Sequence, residues 1–120
     1  MLRACARVLK PGGRMVFTVI GTVDGEASPP IGTFDTFMAP AADYFAMVQN
    51  AGFEDVRQSD VTGAFMATAV RWLEAAAELD NDLRSVLGDA VMDEKLASRR
   101  DTFAALEAGE ICRLLISATA

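Results

Sequence analysis

The chain has 120 residues, 52% of them apolar, which supports one domain with a real core and no more. Eleven basic against 17 acidic residues leave a net charge of −6, which excludes a general nucleic-acid binder, since phosphate backbones are held by clustered cations. Histidine is absent, which removes Ser-His-Asp and Cys-His catalysis and any His-bearing metal site from these residues.

Leu2, Cys5, Ala6 and Leu9 fall at the i, i+3, i+4, i+7 spacing of an amphipathic helix. Lys10-Pro11-Gly12-Gly13 then fits a type II turn, with proline fixing φ at the second position and Gly12 tolerating positive φ at the third. Met15–Ile20 is almost continuously apolar, the pattern of a strand buried on both faces of a parallel α/β sheet. Gly21–Ala39 carries two prolines and three glycines with no period, a long irregular segment of the kind that often carries function. Pro40 suits the first turn of a helix whose face is Tyr44, Phe45, Val48 and Ala51, ended by Gly52.

Phe53–Val61 reads as a strand, and Arg57, Gln58, Ser59 and Asp60 make it polar enough for a sheet edge. A long helix is expected from about Ala64 to Leu79, striped by Phe65, Ala69, Trp72, Ala76 and Leu79. A second helical stretch begins near Asn81 with Leu83, Val86, Leu87, Ala90 and Val91. Its stripe slips near Asp93 and resumes at Leu96, Phe103 and Leu106, so a break is expected at Asp93, with Gly88 as the alternative. Glu110–Ala118, with Ile111, Leu114, Leu115 and Ile116, closes the chain as a buried strand. No apolar run reaches the ~18 residues of a membrane span, and Met1–Ala6 is too short for a signal peptide's apolar core. A cytoplasmic protein is the expectation. Cys5 and Cys112, far apart and in apolar company, read as buried free thiols and not as metal ligands.

Three segments carry a resemblance. Arg7–Arg14 (Arg-Val-Leu-Lys-Pro-Gly-Gly-Arg) leading into Met15–Ile20, Asn50-Ala51-Gly52-Phe53 followed by Val56, and Leu114–Ala118 stand in the order of the rear half of class I S-adenosylmethionine-dependent methyltransferases. The resemblance covers nearly all of residues 1–120 and implies an α/β, partial Rossmann-like methyltransferase fold. Its three-stranded mixed sheet would place the last strand centrally, antiparallel to both neighbours, with flanking helices. It further implies methyl transfer from S-adenosylmethionine to a small-molecule acceptor. No GxGxxG occurs in these residues, so no cofactor-binding residue is carried over, and the chain is expected to be a C-terminal fragment inactive alone. Gly12 and Gly13 correspond to a structural turn.

Ligands in open α/β sheets bind beyond the carboxyl ends of the parallel strands. Here that selects Thr22 and the aromatics Phe34 and Phe37 of the following loop as substrate-binding candidates, with Asp35 between them read as a solvated carboxylate. Tyr44 and Trp72 invite stacking on a cationic donor, but their helical stripes favour core packing. Arg99-Arg100 offer an anion site or, more simply, a solvated helix face. No catalytic residue and no metal ligand is assigned. The competing reading is a non-catalytic module derived from the same fold. It would dimerise as a homo-oligomer, or dock on a partner, through an exposed edge at Met15–Ile20.

Overall fold

A computed structural model describes residues 1–24 and 38–120. The elements in chain order are α1 (Leu2–Val8), β1 (Arg14–Thr22), α2 (Asp43–Asn50), β2 (Glu54–Asp60), α3 (Thr62–Glu78), α4 (Asp80–Leu87), α5 (Asp89–Glu107) and β3 (Ile111–Thr119). Between α1 and β1 the Lys10–Gly13 turn closes as the sequence predicts. Gly12 sits at φ +77°, and the Gly13 N–H donates to the Lys10 carbonyl at 2.7 Å.

The sheet has three strands in the order β1-β3-β2, with β3 antiparallel to both, so β1 and β2 run parallel to each other. β1 and β3 pair without interruption from Arg14↔Thr119 to Thr22↔Ile111. The reason β3 takes the centre is legible in its composition: it buries Ile111, Cys112, Leu114, Ile116 and Ala118, whereas β2 is exposed at every position but Val56. A polar strand keeps its place only where one edge faces water.

One face of the sheet, made by Cys112, Leu114, Ile116 and Ala118, packs with Val48 and Phe53 under α1 and α2, joined by Leu2, Cys5, Leu9, Met15, Phe17 and Val19. The other face is covered at one end only, where Ile111 and Ile20 meet Phe65, Met66, Ala105 and Leu106. This asymmetry corrects the expectation for Met15–Ile20. The strand alternates, with Val16 58% exposed and Thr18 exposed, because among the described residues no helix packs on that part of the second face.

Three further expectations change. Pro40 does not open a helix; it bridges Thr22 as a short parallel pair, and α2 starts at Asp43, whose N–H donates to the Pro40 carbonyl. The helical break falls at Gly88, with φ +85°, and Asp93 lies inside α5. The Asp93 and Asp80 carboxylates both pair with Arg84, at 2.8 and 2.9 Å, and this bracket holds the two helices across the break. Finally, Val86 is 82% exposed and Leu79 52%, whereas Met92, outside the predicted stripe, is 1% exposed. The break at Gly88 turns α5 away from the phase of α4, so the stripe extrapolated across it misses Met92, while Leu79 caps the separate α3–α4 boundary.

Candidate functional site

Because β1 and β2 are parallel, their carboxyl ends lie at the same end of the sheet, where ligands of open α/β sheets sit. At the end of β1 the chain doubles back onto itself. The Thr22 N–H donates to the Ala39 carbonyl at 3.2 Å, and the Thr22 carbonyl accepts from the Ala41 N–H at 2.9 Å. Gly21 makes the approach feasible, since a Cβ there would stand 2.8 Å from Ala41 Cα. Tyr44 reinforces the junction by donating its hydroxyl to the Ile20 carbonyl at 3.2 Å.

At the end of β2, Asp60 Oδ1 accepts the Thr62 N–H at 2.8 Å, filling one of the orphan donors of the α3 N-terminus. The Thr62 hydroxyl and N–H hold the Asp60 carboxyl below its usual range. Beside it, burial and the nearby Asp60 charge push the Cys112 thiol up, so it is no ready nucleophile.

From this end a crevice runs between α3 and α5. Phe65, Thr68, Ala69 and Trp72 line one wall and Arg99, Thr102, Phe103 and Leu106 the other, each set at i, i+3, i+4, i+7 spacing, and Leu73 completes the lining. The cavity holds about 100 Å³. Its threonines spend their hydroxyl protons on their own helices: Thr68 donates to the Ala64 carbonyl and Thr102 to the Ser98 carbonyl. The walls are mostly apolar; among the described residues Arg99 is the charged group that lines the cavity, and Arg113 stands beside it over the ring of Phe65. Arg99 lies 5.2 Å from the Trp72 ring centroid and Arg113 4.8 Å from that of Phe65. Arg113 also donates to Thr18 Oγ1 at 2.6 Å.

Of the residues singled out in the sequence, Thr22 stands where expected at the end of β1, but it is 4% exposed under the Ala39–Ala41 return. Phe34, Phe37 and Asp35 lie outside the described residues. Trp72 corrects its reading as core: it is 38% exposed and forms a cavity wall under a guanidinium. Arg99 and Arg100 diverge, Arg99 lining this cavity and Arg100 a separate groove with Asp80, Arg84 and Asp93. Arg113 escaped notice, although one cation inside the apolar run Ile111–Ile116 was a usable signal. Both cysteines are free, and among the described residues no cluster of acidic or cysteine side chains could hold a metal ion.

No family model matches the sequence, and no curated protein matches it. Solved structures do. Phosphoethanolamine N-methyltransferase 2 of Haemonchus contortus, with phosphomonomethylethanolamine and S-adenosylhomocysteine, superposes with a TM-score of 0.80 at 15% identity over 98% of this chain and 29% of its own. A putative sarcosine dimethylglycine methyltransferase from Galdieria sulphuraria gives 0.79 at 16% identity over 98% and 45%. The chain has the fold of S-adenosylmethionine-dependent methyltransferases. The cyclopropane synthase MmaA2 of Mycobacterium tuberculosis shares it, with a TM-score of 0.75 at 13% identity over 99% and 48%. The chain thus spans less than half the length of each of these proteins.

Within this methyltransferase fold, neither the α3–α5 cavity nor the groove along β1 offers the cofactor a carboxylate. Small-molecule sites commonly measure ~300–1,000 Å³. The cavity at the ligand end of the sheet is far smaller, and its lining includes no carboxylate to take the hydroxyls of a ribose. The larger groove along β1, lined by Leu2, Met15, Phe17, Tyr44 and Met47 among others, has no carboxylate either.

Proposed function

We propose that these residues are the rear, C-terminal part of an S-adenosylmethionine-dependent methyltransferase acting on a small molecule, with the cofactor's ligands supplied by residues outside the 120. The observation that carries the reading is β3 threaded antiparallel between the parallel β1 and β2, in a chain whose solved neighbours include named methyltransferases. Thr22, Phe34 and Phe37 are the substrate-side residues of this reading. Methyl transfer from a sulfonium asks little of side chains, because the leaving group is already activated. Alignment of acceptor and methyl can supply ~7–11 kcal/mol, and an acceptor that keeps its proton needs a base, which is a carboxylate, Tyr or Lys if it comes from these histidine-free residues, or a group outside the 120.

The reading frame upstream of Met1 tests this directly. An in-frame segment encoding a glycine-rich strand–loop–helix supports it, and a stop codon with no such segment overturns it. Calorimetry on the 120 residues should show no micromolar S-adenosylmethionine binding; such binding would refute the division of labour.

A second reading, a homo-oligomeric or partner-docking module, is favoured by one feature. The outer edge of β1 has no paired strand among the described residues, and Val16 beside it is exposed. Unpaired main-chain groups along an apolar strand template the addition of another strand. Sedimentation that finds a clean monomer at high concentration argues against this reading.

A further inference from the structure

We propose that the α3–α5 cavity binds a small organic anion, its apolar body seated between Phe65, Trp72 and Leu106 and its carboxylate or phosphate head held by Arg99 and Arg113. The cavity and the two cations are brought together by separate elements: the rings are one face of α3, Arg99 comes from α5, and Arg113 from β3. Each guanidinium lies over an aromatic ring, Arg99 over Trp72 and Arg113 over Phe65, a contact that uses the face of the cation and none of its N–H donors.

Among the described residues the ion pairs belong to Arg84, and neither Arg99 nor Arg113 has a carboxylate partner. The Arg113 side chain reaches Thr18 Oγ1 and leaves most of its donors for a ligand. Burial and the charge of Arg99 together hold Arg113 below its ordinary range. Two neighbouring cations that disfavour one another, one of them half-buried, are what an incoming anion relieves.

Size selects the body. An apolar cavity of ~150 Å³ accepts benzene, so the roughly 100 Å³ here encloses a short branched alkyl group or the inner part of a single ring, whose remainder and head stay at the rim. The inference stands on the cavity and not on methyl transfer, so either can fail without the other.

Trp72 is the single tryptophan of the chain and lines the cavity, so its emission reports occupancy. The 120-residue chain is titrated with phenylacetate and phenyl phosphate, which separate the two head groups. Benzyl alcohol supplies the body without charge, and inorganic phosphate the charge without body. The expected result is a saturable Trp72 shift with at least one aromatic anion and at least ten-fold weaker binding of both controls.

Arg99→Gln should weaken the aromatic anion five-fold or more. Arg99 is exposed, so this variant tests the charge even where Arg113→Gln unfolds. Ala69→Phe, which fills the cavity, should abolish the shift with the far-UV spectrum unchanged. No saturable response to either aromatic anion at millimolar concentration overturns the proposal. So does equal binding of benzyl alcohol or inorganic phosphate, or an unaltered affinity in Arg99→Gln.

Discussion

The Thr62 hydroxyl accepts a hydrogen bond from the main-chain N–H of Arg113 at 2.9 Å, tying the first residue of α3 to the strand that completes the sheet. The same threonine binds the Asp60 carboxylate, and the Val61 N–H donates to the Arg113 carbonyl at 2.8 Å. The end of β2, the start of α3 and the Arg113 side of the cavity are therefore one hydrogen-bonded junction. Shifting any member moves the Phe65 ring on which the Arg113 guanidinium rests.

The pH dependence of that junction follows from Asp60. Its folded pKa is depressed by Thr62, so the carboxylate contributes stability above its unfolded value of ~3.9, and the contribution is lost as pH falls through the lower folded value. Asp60→Asn keeps an acceptor but not the charge. Urea midpoints should show the variant less stable near neutrality, with the gap to the parent closing as pH falls below the unfolded value of ~3.9. A gap that stays constant with pH would show that the charge is not coupled to folding.

Gly12 occupies φ +77° with open space where a side chain would go. The cost of substitution there is backbone strain alone, and β-branched residues suffer it most. Gly12→Val should lower unfolding free energy by at least ~1 kcal/mol, read from a denaturant titration with an unchanged m-value. No loss would mean that the turn is not as described.

Gly21 fails differently when substituted. Gly21→Ala places a methyl against the Ala41 backbone, 2.8 Å from its Cα. Backbone cannot swing aside as a side-chain tip does, so the 39–41 return must shift. A loss of about 1–3 kcal/mol is expected, the usual range for overpacking. Hydrogen exchange should quicken at the Thr22 and Ala41 amides, which the return protects; unchanged protection would show that the segment is not seated on β1.

Val16 tests the edge of β1. At 58% exposure its side chain packs against little, so Val16→Lys should change stability by no more than ~0.5 kcal/mol. A lysine there interferes with the addition of another strand, and sedimentation should show self-association reduced against the parent chain. Equal association of the two would place any contact between copies elsewhere.

Much of this architecture is legible in short stretches of sequence. Proline and glycine at Pro11-Gly12 announce a turn whose dihedral angles they alone suit, and the polar run Arg57–Asp60 announces an edge, because unpaired main chain needs water. The central place of β3 was accessible only through resemblance, since periodicity says that Ile111–Ile116 is buried and not between which strands. The Asp93 break was misplaced because a stripe is extrapolated in phase. Gly88 resets the phase through its backbone, and Asp93, where the extrapolated stripe slips, lies inside α5 and pairs with Arg84.

What the residues determined by themselves is local: the helices, the turn, and which strand is apolar, all set by interactions between near neighbours along the chain. The ligand end needed the folded chain. Phe65 and Trp72 share one helical stripe that reads as core until α5 and β3 bring Arg99 and Arg113 over their rings. Whether an aromatic side chain is core or wall depends on what crosses it, and crossing geometry is a property of packed elements that no single element encodes.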